Sequence, residues 1–150
     1  MLEDRLNADI KAALLGGDQF TATTLRGLKA TILNVKVAEG SRDQQMSDQQ
    51  IQSIFAKEAK KRQESADLFK QGGNDAKADQ ELAEKKLIET YLPAQLSEQE
   101  IKMIIDDLAG QIGAASMADM GKLIGAVKGH AGPSADGALV AKLVKEKLSA

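Results

Sequence analysis

Residues 120–132 read Met-Gly-Lys-Leu-Ile-Gly-Ala-Val-Lys-Gly-His-Ala-Gly, with four glycines, two lysines and the chain's only histidine. Glycine beside lysine is the chemistry of a loop that wraps phosphate, so the stretch is first tested against nucleotide loops. A P-loop needs Gly, four residues, then Gly-Lys-Ser/Thr, after a strand. Here Ser116 stands where the first glycine belongs, Leu123 follows Lys122, and no strand pattern precedes. The dinucleotide spacing G-x-G-x-x-G is absent as well. What remains is Gly121, Gly125 and Gly129, spaced by four, with Lys122 and Lys128 beside them. On a helix such residues lie along one side. Each glycine costs a helix roughly 1 kcal/mol relative to alanine, so three on one side need a reason. One reason is close packing of a second helix on the bare backbone. The other is an exposed strip against which an RNA sugar-phosphate edge docks, with the lysines on phosphates. Spacing alone favours packing. Lys142 and Lys145 in the last helix could extend a binding surface.

A second basic cluster is Lys57, Lys60, Lys61 and Arg62, diluted by Glu58 and Glu64. A solvated helix face is its default reading and a partner site the alternative. Arg26, Lys29 and Lys36 carry the same two readings. The acids Asp106-Asp107 and Glu98/Glu100 could hold a cation, but their helix otherwise reads as an ordinary exposed face. His130 is lone, so a multi-histidine metal site is impossible, and a contact with a helix C-terminus suits it better than acid–base work. Cysteine is absent, which excludes disulfides, thiolate metal sites and cysteine nucleophiles. The serines stand in no nucleophile motif. No catalytic residue, metal or cofactor is expected.

Charged residues make up 28% of the 150 and hydrophobic ones 43%, a globular composition. The net charge of −2 argues against indiscriminate nucleic-acid binding. From residue 111 onward, however, five lysines face three acids. No run approaches a membrane span. The opening, Met-Leu-Glu-Asp-Arg-Leu, is acidic rather than basic and no apolar segment follows it, which leads to the expectation of a cytoplasmic protein.

The elements that must position these residues are helices. Aromatics are only 3%, so the core is aliphatic. Leu2, Leu6, Ile10 and Leu14 mark a first helix ended by Gly16-Gly17. Asp18 caps a second, with Leu25, Leu28, Ile32 and Val35 inward, stopped by Gly40. Ser47 and Gln50 have capping-box spacing. The long helix they open runs to Gly72-Gly73, with Ile51, Phe55, Ala59, Ala66 and Phe69 on its buried side. A fourth helix, about 75–91, turns back along it, anchored by Leu82, Ile88 and Tyr91. Pro93 interrupts the chain. Ser97 and Glu100 form another capping box before Ile101, Ile104, Ile105, Leu108 and Ile112. Ser116 and Asp119 open the glycine helix, whose core stripe is read as Met117, Met120, Ile124 and Val127. The last helix carries Leu139, Val140, Leu143, Val144 and Leu148. The expected class is all-α: an N-terminal domain with a long helical hairpin at 1–92 and a C-terminal three-helix domain at 95–150.

Three stretches, KKRQESADLFKQGG, IETYLPAQLSEQEI and ADMGKLIGAVKGHAGPSADGALVAKLVKEKL, together resemble the GatB/YqeY family. The likeness runs nearly end to end, so the free-standing YqeY-type proteins match best. It implies an all-helical two-domain protein whose C-terminal part is similar to the tail domain of the B subunit of the glutamine-dependent tRNA amidotransferase. That tail helps to hold tRNA while the chemistry occurs elsewhere. The resemblance therefore implies an accessory protein that binds tRNA or a tRNA-processing protein. The family's carbon–nitrogen ligase label, with glutamine as amido donor, would come through the tail rather than through chemistry in this chain. Carried over by position, the family motif falls on Asp119, Met120, Gly121, Lys122 and Gly125, then on Lys128, Gly129, Ala135, Asp136 and Gly137. One departure is Gly72-Gly73-Asn74-Asp75-Ala76, where relatives often carry Gly-Arg-x-Asp-Leu. The alternative from charge alone is a protein–protein adaptor that docks its partner through the N-terminal hairpin.

Overall fold

The computed structural model describes residues 1–150 and consists of helices joined by short turns, without strands. They are α1 (Leu2–Leu15), α2 (Gln19–Ala38), α3 (Asp48–Gln71), α4 (Asp75–Glu89), α5 (Glu98–Ile112), α6 (Met120–Ala131) and α7 (Gly137–Ser149). Single 3₁₀ turns, Met117–Asp119 and Gly132–Ser134, precede and follow α6. The chain divides into two compact units, Met1–Leu92 and Pro93–Ala150.

Side-chain caps fix where the helices begin. The Ser47 hydroxyl accepts from the Gln50 N–H at 3.2 Å while the Gln50 side chain accepts from the Ser47 N–H at 3.1 Å. Ser97 and Glu100 repeat this exchange at 3.1 and 2.7 Å. Asp18, Asn74 and Asp136 each accept from the backbone N–H three residues on. These bonds satisfy amides that have no partner inside the helix. Asn74 thus caps α4 at the turn where the family-like arginine is missing. At its far end, α5 stops at Gly113, whose φ of 68° is a left-handed conformation that side chains disfavour.

In the first unit α3 and α4 form an antiparallel hairpin, and α1 and α2 pair beside it. The core holds Leu6, Leu25, Leu28, Ile51, Phe55 and Ile88, all at most 1% exposed. Phe55 meets Tyr91 edge-on, with ring centroids 5.6 Å apart. Tyr91 lies just past the end of α4, which is shorter than its spacing suggests because Thr90 already turns the backbone toward Pro93. The Tyr91 hydroxyl donates to Asp9, and the Arg5 guanidinium lies 4.3 Å from the ring centroid. Burial first, then the Asp9 carboxylate, push this phenol far above its ordinary value. Leu14 is half exposed; Ala13 continues the buried side of α1 in its place.

In the second unit α5, α6 and α7 surround a core without any aromatic ring. Ile101, Leu123, Val127, Val140 and Val144 are fully buried in it. The segment after Pro93 is fastened here. The Gln95 side chain donates to the Pro133 carbonyl at 2.8 Å, and the Leu96 N–H donates to the Ser134 carbonyl at 2.7 Å. The expected stripe of α6 is corrected at one end. Met117 lies in the 3₁₀ turn and is 43% exposed, whereas Leu123 takes the central core position. The tighter turn before α6 changes the phase, so Met117 is out of register with the helix that follows.

Candidate functional site

The geometry decides the packing question for the three glycines. Gly121, Gly125 and Gly129 are exposed, and a Cβ added to any of them would have nothing within 4 Å. No second helix of this chain covers the strip, so the packing expectation is corrected. The reason lies in the phase of α6. With Leu123 and Val127 inward, roughly 100° per residue turns the three glycines to the opposite side. Lys122 and Lys128 flank them, one on each side, both exposed. The face is therefore a bare backbone strip between two cations, on a helix with no acidic residue.

The 3₁₀ turn before α6 is held by Asp119, whose carboxylate accepts from the Ala115 and Ser116 N–H groups at 2.9 and 3.2 Å. These bonds, with the charge of Lys122, hold the Asp119 carboxyl below its ordinary value. The Lys128 side chain reaches toward the next helix, where a Cβ on Gly137 would lie 3.5 Å from its Nζ. That is ordinary van der Waals contact with the flexible end of the lysine, so a methyl group at Gly137 would be accommodated. Family-motif residues thus divide by role. Asp119 ties the 3₁₀ turn before α6, Asp136 caps α7, Gly137 lies beside the end of Lys128, and Lys122 and Lys128 are exposed.

Lys142 and Lys145 project from α7 opposite its buried residues Val140, Leu143 and Val144, so they belong to a different helix face from the glycines. Neither they nor Lys122 and Lys128 form an ion pair; the pairs in this unit are Lys102–Glu98 at 3.3 Å and Lys147–Asp106 at 2.8 Å. His130 is exposed in the last turn of α6. Glu100 is occupied as a cap. No three acidic or histidine side chains come together as a metal site would require.

The second basic cluster lies in the first unit and does not form one face. Arg62 is half buried between α3 and α4, bonded to Glu58 at 2.5 Å and Glu84 at 3.2 Å. Burial opposes its charge, but those two carboxylates outweigh that and hold the guanidinium above its ordinary value. Lys61 also pairs with Glu58, at 3.2 Å. Only Lys57 and Lys60 remain as free cations there. Sequence reading missed the role of Glu58, which is 7% exposed. The signal available was its spacing of three and four from Lys61 and Arg62.

Seven helices around two separate aliphatic-rich cores, one of them bearing a glycine–lysine face, define a small all-helical protein. The chain belongs to the family of YqeY-like proteins, whose family model matches residues 3–148. It is similar to the protein named "Altered inheritance of mitochondria protein 41, mitochondrial" of Eremothecium gossypii, 36% identical over 89 residues, 59% of this chain and 48% of the relative. The protein of the same name from Vanderwaltozyma polyspora is 26% identical over 121 residues, 77% of this chain and 64% of the relative. That of Kluyveromyces lactis is 29% identical over 89 residues, 59% and 47% of the two chains. The matches thus span about half to two thirds of those relatives. The mitochondrial location in these relatives' names overturns the expected cytoplasmic location. That expectation rested on an acidic opening segment, and compartment is written in detachable leaders rather than in the composition of a folded helix.

Proposed function

We propose that this chain is an accessory protein that holds tRNA by its sugar-phosphate backbone on the solvent face of α6, without itself performing amide transfer. One observation carries the reading: the face joins three uncovered glycines to two unpaired lysines on a helix free of acids. A bare helix backbone lets a phosphate chain come near, and lysines at its edges neutralise it. The likeness of the C-terminal motifs to an amidotransferase tail supports tRNA over other RNA. On this reading the ligase label belongs to a partner enzyme. Lys142 and Lys145 contribute to the long-range field rather than to the strip.

The test is retention of mixed tRNA by the pure protein across a salt series, against Lys122→Ala/Lys128→Ala. Binding should weaken steeply with salt, and the double variant should lower the slope of log affinity against log salt by about 2. No retention at low salt, or an unchanged slope in the variant, refutes the reading.

A further inference from the structure

A concave feature lies in the first unit, between α1, α2 and the turn that follows α2. It is an open cleft of about 320 Å³, at the small end of the range for ligand sites. Its floor is apolar: Leu6 and Ile32 are core residues reached from the cleft, and Ala30 and Leu33 line it on the exposed side. Leu33 is 43% exposed, a large apolar side chain left open to water at this spot. The rim is cationic. Arg26 and Lys29 stand one turn apart on α2, and Arg42 comes from the loop. None of these three forms an ion pair, and the one acid in the lining, Glu3, is already bonded to Lys36.

The rim is built rather than loose. Glu3 also accepts from the Met46 N–H at 3.0 Å, and the Ser41 N–H donates to the Lys36 carbonyl at 2.8 Å. The loop carrying Arg42 is therefore tied at both ends to the cleft wall. The result is a cleft in which three positive charges outside any ion pair surround an apolar floor, with the Glu3–Lys36 pair among its lining.

We infer that this cleft binds a small organic anion, a phosphate or carboxylate carried on a compact apolar or aromatic body. The guanidinium groups of Arg26 and Arg42 suit the planar, two-point recognition such anions offer. The floor would take the apolar body out of water. A nucleic-acid backbone is a poorer fit, because its phosphates would use the rim and leave the apolar floor empty. The site is in the other unit from the α6 face and is independent of that reading.

The experiment follows backbone amide shifts of the full-length protein by NMR during titration with phenyl phosphate, and in parallel with inorganic phosphate. Saturable shifts confined to residues 3–7 and 26–42 are expected below about 10 mM, with inorganic phosphate at least about tenfold weaker. Arg26→Ala/Lys29→Ala should weaken phenyl phosphate about tenfold or more, the scale of a lost charged hydrogen bond. Leu33→Ser should weaken phenyl phosphate and leave inorganic phosphate unchanged. Lys57→Ala/Lys60→Ala, away from the cleft, should change neither. Shifts that do not saturate, equal binding of the two probes, or an unaltered Arg26→Ala/Lys29→Ala titration overturns the inference. So does a single-stranded RNA that shifts these amides where phenyl phosphate does not.

Discussion

Replacing the α6 glycines with alanine separates stability from binding. None of Gly121, Gly125 and Gly129 has a positive φ, and a Cβ at each would meet open space. Alanine therefore adds no clash and no strain, while it reduces the freedom of the unfolded chain and improves helix propensity. At Gly125, in the middle of α6, the gain should be roughly 1 kcal/mol. Gly121 and Gly129 sit in the terminal turns, where propensity counts for less, so the triple variant should gain about 2 kcal/mol. If the unit Pro93–Ala150 unfolds cooperatively, that is about 8–16 °C in its melting temperature, readable by circular dichroism. Urea titration of the same samples should show a raised midpoint at unchanged slope. The tRNA retention assay is then run on the stabilised protein. Three methyl groups on the strip hold a phosphate backbone farther away, so affinity should fall although the fold is firmer. A triple variant that is less stable would refute the picture of an uncovered helix face. One that is more stable and binds tRNA as before would show that the glycines play no part in docking, leaving the lysines alone to explain it.

Two further outcomes follow from the first unit. Glu58→Ala removes a nearly buried carboxylate that holds Arg62 at 2.5 Å and Lys61 at 3.2 Å. Arg62 keeps Glu84, so the loss should be about 1–3 kcal/mol in urea unfolding, and Glu58→Ala/Arg62→Met should recover part of it. Burial by itself would raise the Glu3 carboxyl, but its bonds to Lys36 and the Met46 N–H, with the charges of Lys36 and Lys29, bring it below its ordinary 4.5. A lowered carboxylate stabilises the folded state above the unfolded-state value. That contribution is lost as pH falls through the folded one, so stability should drop below about pH 4.5. Glu3→Gln should flatten that acid limb and leave the rest of the pH profile unchanged.

Helix ends were the most legible part of the sequence. Ser47-x-x-Gln50 and Ser97-x-x-Glu100 each became a reciprocal cap, because a cap is a local bond whose partners are three residues apart. Apolar stripes were legible for the same reason. Met117 was misread because one 3₁₀ turn breaks the phase on which a stripe depends. The glycine strip was visible as a pattern, but whether anything covered it depends on which way α6 is rotated, and that is set by Leu123 and Val127 meeting α5 and α7. Arg62 looked like part of a solvated face because its second partner, Glu84, lies 22 residues away on another helix. The cationic cleft joins Glu3, Arg26 and Arg42 from three segments, so no local pattern announces it.

Every aromatic residue of the chain, Phe20, Phe55, Phe69 and Tyr91, falls before residue 93. The unit that carries α6 thus has no phenyl, phenol or indole ring on which a nucleobase could stack, and the His130 imidazole is its one aromatic heterocycle. On the proposed reading, a nucleic acid on α6 would be held mainly by charge and shape. Such a grip would be indifferent to base sequence and would read a folded RNA by the path of its phosphates.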